Sequence, residues 1–109
     1  MKPGWYLCSQ LVRLTAVGDA APGETALLEE IGPEGALVAA ERDYEPGRKL
    51  ALEAGLLTVT ATVGGSQRRE TDYQLELDFA DGYRWDHREW RPEHLFRPAP
   101  KAKSAAGSQ

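Results

Sequence analysis

Apolar side chains recur at every second position in three successive runs. Leu50, Leu52 and Ala54 do so in the first. Leu57, Val59, Ala61 and Val63 alternate with threonines in the second. Tyr73, Leu75, Leu77 and Phe79 alternate with Gln74, Glu76 and Asp78 in the third. Successive side chains of a strand point to opposite faces, so each run carries one dry face and one wet face. A helix would need its apolar positions three and four apart. Turn signals punctuate the chain at Gly18-Asp19, Pro22-Gly23, Gly32-Pro33, Pro46-Gly47, Gly64-Gly65 and Asp81-Gly82. The segments between them predict strands near Leu7–Thr15, Thr25–Ile31, Ala36–Ala40, Lys49–Ala54, Leu57–Val63 and Tyr73–Phe79.

With 109 residues there is room for one domain. Six short strands must hide their dry faces on something, and a sheet closed on itself does so while removing exposed edges. The expected fold is all-β, a small six-stranded antiparallel barrel, with a β-sandwich as the alternative. Residues 83–96 mix aromatics with charges, and Pro92 suits a first helical position. One short helical turn over Pro92–Phe96, capping the barrel, is expected there. Residues 1–98 then form the domain, and residues 99–109, rich in Ala, Lys, Ser and Gly, form a disordered tail.

Charge narrows the partners. Residues 1–79 hold 7 Lys and Arg against 13 Asp and Glu, whereas residues 80–109 hold 6 against 4. An acidic body argues against a nucleic acid polymer as ligand, because such binding rests on neutralising phosphates. No apolar run approaches the roughly 20 residues that cross a bilayer. The N-terminal residues do not read as a secretory signal. Cys8 is the single cysteine, which excludes an internal disulfide and a multi-cysteine zinc site. A cytoplasmic protein is expected. His87 and His94 lack any recognisable metal-ligand spacing, and no nucleophile, base and orienting group stand out. Neither a metal, a cofactor nor an enzymatic activity is expected.

The segment Leu28-Glu29-Glu30-Ile31-Gly32-Pro33-Glu34-Gly35-Ala36-Leu37-Val38 resembles the central motif of PilZ domains. The spacing from there to Tyr44-Glu45-Pro46-Gly47 and Leu50-Ala51-Leu52 follows the same pattern, as does the strand that ends at Phe79. Tyr6-Leu7-Cys8-Ser9 and Trp90-Arg91-Pro92-Glu93-His94-Leu95 resemble a compact, atypical single-domain subgroup. The similarity covers about residues 5–98. It implies a six-stranded barrel that receives the bacterial second messenger cyclic di-GMP. Two motifs carry the ligand in that family, R-x-x-x-R before the first strand and (D/N)-x-S-x-x-G at the end of the second. Arginine suits the first because its planar fork fits phosphate oxygens and guanine edges.

Both motifs are altered here. No arginine precedes the first strand, and Arg13 lies within it. Glu30 stands where Asp or Asn belongs, Gly32 replaces Ser, and Gly35 alone matches. A hydrogen bond to a charged group contributes about 1.5–3 kcal/mol, so two lost arginine anchors forfeit roughly 3–6 kcal/mol. The expected function is therefore a PilZ-like signalling module that acts on an unidentified protein partner, with weak or absent cyclic di-GMP binding. The alternative is a cyclic di-GMP receptor with substitute residues, Glu30, Gly32, Gly35, Arg68 and Arg69. An interaction surface is expected at Trp85, Arg88, Trp90 and Arg91, where aromatics and arginine would anchor an interface. A homodimer is compatible with that surface.

Overall fold

A computed structural model describes residues 4–95. It contains six strands: β1 (Tyr6–Ala16), β2 (Glu24–Ile31), β3 (Gly35–Ala40), β4 (Lys49–Ala54), β5 (Leu57–Arg68) and β6 (Tyr73–Phe79). They close into an antiparallel barrel in the order β1-β2-β3-β6-β5-β4, with β4 returning to β1. The barrel, and not the sandwich, is the architecture. Each expected strand is present, with bounds moved by at most a residue or two except in β5.

β5 runs through Gly64-Gly65, where the sequence suggests a turn. A bulge between Val63 and Gly65 lets the strand continue. The reason is steric. A Cβ on Gly64 would stand 2.6 Å from a carboxylate oxygen of Asp78 on β6, so glycine lets the Asp78 side chain lie over the bulge. Arg68 and Arg69 therefore do not flank a Gly-Gly-Ser turn. They lie at the end of β5 and in the tight connection to β6, where the Arg69 N–H donates to the Asp72 carbonyl at 2.8 Å.

The alternating residues do what their period requires. Leu14, Leu28, Val38, Leu52, Val63, Leu75 and Leu77 point inward and are almost fully buried. Alanines at 16, 26, 36, 40, 54 and 61 fill the narrower positions between them. Among the described residues no polar or charged side chain is buried. Six strands make a barrel narrower than the eight-stranded kind, whose interior already holds little beyond side chains. This interior is packed and dry.

Each end is closed by an aromatic. At one end Tyr44, 8% exposed, donates its hydroxyl proton to Glu24 at 2.6 Å and accepts from Arg42 at 3.0 Å. At the other, Trp85 is 4% exposed and meets Tyr6 edge-on at 5.6 Å. Its indole N–H donates to the Trp90 carbonyl at 2.9 Å, and its backbone N–H donates to the Pro33 carbonyl at 2.9 Å.

The C-terminal segment also covers an edge. β4 pairs with β1 only from Arg13 to Ala16, which leaves the start of β1 without β4 beside it. There the Ser9 N–H donates to the Glu93 carbonyl at 3.0 Å, and the Glu93 N–H donates to the Gln10 side chain at 3.0 Å. Hydrogen-bonded turning falls at Asp86–Trp90, earlier than the expected Pro92–Phe96. His94 takes a left-handed φ of 56°, which does not continue a helix. Phe96 and the tail expected over residues 99–109 lie outside the described residues.

Trp85→Ala should lower unfolding free energy by about 3–5 kcal/mol, as large-to-small changes at filled sites do. Leu11→Ala, at a position 64% exposed, should stay within about 0.5 kcal/mol. Urea denaturation of the two variants checks the contrast.

Candidate functional site

A packed interior sends function to the outer surface. The bend at 32–34, between β2 and β3, is the segment with family-like spacing. It is closed by the Gly32 N–H donating to the Gly35 carbonyl at 2.9 Å. Both glycines have packing reasons to be there. A Cβ on Gly35 would collide with the Leu77 carbonyl of β6, so glycine sets the β3–β6 approach. A Cβ on Gly32 would collide with the indole of Trp5, which lies directly over it. The tryptophan thus takes the space into which any side chain at position 32 would project.

The register of the sheet builds what surrounds the bend. Glu30 pairs with Leu37, Leu37 with Glu76, and Glu76 with Gly65, so one row crosses four strands on the outer face. Asp78 lies two residues from Glu76 on the same face and pairs with Gly35. Glu30, Leu37, Glu76 and Asp78, together with Trp5, Ala36 and Leu77, line an open groove of about 320 Å³. Its lining is the Trp5 indole, Ala36, Leu37, Leu77 and three carboxylates, with no Lys or Arg among the described lining residues. Partial burial pushes the Glu30 carboxyl above its usual range, and the neighbouring charge of Glu29 adds to the effect.

The arginines are elsewhere. Arg69 donates to Asp72 at 2.7 and 3.0 Å and to Glu29 at 3.2 and 3.1 Å, so both edges of its guanidinium are engaged. Gln74 donates to the same Glu29 at 3.2 Å. Arg69 in turn holds the Asp72 carboxyl below its usual range. Gln74 lies four residues along β6 from Asp78, the partner of Gly35. At a rise of about 3.3 Å per residue that is roughly 13 Å. Glu30, Gly32 and Gly35 lie at the bend, while Arg69 is held in an adjoining cluster by Asp72 and by Glu29, the residue before Glu30. Arg68 is exposed at the end of β5 and has no ion-pair partner among the described residues.

The expected interaction surface is divided. Trp85 is buried and serves as the end plug, so it is not available to a partner. Trp90 is half-buried against the core, its ring near Gly55. Arg88 is exposed and folds back on Asp86 at 2.9 Å, and Arg91 is exposed. Arg84 pairs with Glu34 beside the bend at 3.1 Å, both largely exposed.

Other chemistry is sparse. The Cys8 thiol points at the Leu28 carbonyl at 3.7 Å, and burial, then Glu30 and Glu29, push it up to about 12. Such a thiol stays protonated and is a poor nucleophile. Among the described residues no cluster of three or more His, Cys, Asp or Glu is arranged to hold a metal ion. No family model, curated protein or solved structure matches the chain.

Sequence reasoning missed Trp5, Glu76 and Asp78. The acids read as the wet face of a strand, and only the register places them beside Glu30. For Trp5 a signal existed: an aromatic just before the first strand, and a glycine in the bend that an aromatic could cover.

Two consequences are measurable. Gly32→Ser should cost about 1–3 kcal/mol by overpacking against Trp5, and Trp5→Ala should relieve most of that cost in the double variant. Denaturation of the four proteins gives the coupling. Because the folded-state pKa of Glu30 is raised, its ionised form weighs against the fold once the pH rises through that value. Glu30→Gln should leave stability equal or higher at pH 7, and the difference should vanish in acid; thermal melts across pH check the sign.

Proposed function

We propose that this chain is a PilZ-like bacterial signalling module that works through contacts with other proteins and does not take cyclic di-GMP at its β2–β3 bend. The resemblance over residues 5–98 and a closed six-stranded barrel both support the family reading. One observation carries the functional part: the groove beside the bend is walled by Glu30, Glu76 and Asp78, with Trp5 seated on Gly32.

The electrostatics follow directly. A cyclic dinucleotide brings two phosphates, and like charges about 5 Å apart at an effective dielectric near 20 repel by roughly 3 kcal/mol. That repulsion adds to the 3–6 kcal/mol or so lost with the two arginine anchors. Arg69 offers no remedy, since using it would break its bonds to Asp72 and Glu29. A small dry barrel without a lumen, an unmatched anion site and an accessible outer groove suit protein recognition. A cytoplasmic setting fits this role, and no described helix is long and apolar enough to cross a membrane.

Isothermal titration of the purified protein with cyclic di-GMP in moderate salt should give no saturable heat. Tight binding at the bend would overturn the proposal.

A further inference from the structure

We infer that the groove over β2, β3 and β6 is a docking site for an extended basic segment of a partner protein, with two Arg or Lys side chains flanking an apolar one. The inference rests on the protein-contact reading above and names the chemistry of the partner.

Three features converge. First, the row Glu30–Leu37–Glu76 places a carboxylate on either side of an apolar side chain, on adjacent strands. At about 4.8 Å between strands the two glutamates stand roughly 10 Å apart. That backbone separation leaves room for a side chain between the two carboxylates. It suits two long cationic side chains from alternate positions of an extended segment, with an apolar side chain between them over Leu37. Second, Trp5 forms a wall of the same groove and adds apolar area beside Leu37, against which the aliphatic stem of a basic side chain packs. Third, charge complementarity is one-sided. No described Lys or Arg lines the groove, and among the described residues none of its three carboxylates forms an ion pair; the chain's terminal amine acts on Glu30 only as a lesser influence, opposed to that of burial. Glu30 is already partly desolvated, so a cation placed there is poorly screened by water.

The closed barrel shapes the mode of recognition. β2, β3 and β6 each have neighbours on both sides, so a partner cannot add a strand among them. Recognition at this face must run through side chains.

The probe is a blocked Arg-Ser-Leu-Ser-Arg peptide, titrated into the ¹⁵N-labelled full chain in low salt, with its Glu-Ser-Leu-Ser-Glu counterpart beside it. The cationic peptide should bind saturably and shift Glu30, Leu37, Gly65, Glu76 and the Trp5 indole N–H. The acidic peptide should not bind. Glu30→Gln with Glu76→Gln should weaken the cationic peptide about tenfold or more, as charge-assisted bonds become neutral ones, without lowering the melting temperature. Equal affinity for the double variant, shifts elsewhere, or no binding of the cationic peptide would overturn the inference. So would self-association of the free protein abolished by the double variant, which assigns the groove to a second copy. Binding that appears only after removal of residues 96–109 would likewise overturn it, by assigning the groove to the chain's own basic end. If the peptide is refused while cyclic di-GMP also gives no heat, the partner chemistry fails and the protein-contact reading stands. Tight cyclic di-GMP binding removes that reading itself.

Discussion

Six strands that close on themselves enclose room for side chains and for nothing else. The rest of the molecule follows from that constraint. Leucines and valines alternate with alanines around the inside, and Tyr44 and Trp85 close the two ends. No described polar side chain is left inside to greet a ligand. Binding chemistry must therefore lie on outward-facing residues, and those are set by register across strands. Glu30, Leu37 and Glu76 are far apart in the chain and side by side on the sheet.

The bend between β2 and β3 shows how packing can reassign a motif. Gly35 is required by the Leu77 carbonyl, and Gly32 by the Trp5 indole. Neither needs a ligand to explain it. With the Trp5 indole over Gly32 and three carboxylates in the groove beside it, the bend faces negative charge. Arg69 does not bring positive charge to the bend, because it is neutralised by Asp72 and by Glu29 of β2.

Much of the barrel is legible in the amino-acid sequence. Period-two alternation marks β4 and β6 to the residue, because a strand with one dry face has little freedom in its pattern. β5 is legible only to Val63, since a glycine pair reads as a turn and the bulge that uses it depends on Asp78 of another strand. Trp85 reads as an interface anchor because aromatics among charges mark surfaces as well as plugs; the barrel end it fills does not exist in one dimension. The acids at 76 and 78 carry no local signal either. Their partner Glu30 is brought to them through β3, and pairing between distant strands leaves little trace in a single sequence.

The character of the bend depends on the indole of Trp5 lying over Gly32. A two-dimensional NOE spectrum of the protein tests this contact directly. Cross-peaks between the Trp5 ring protons and the Gly32 Hα protons are predicted. If Trp5 shows none, and Gly32 faces open solvent, the bend is free and the packing account of Gly32 is contradicted.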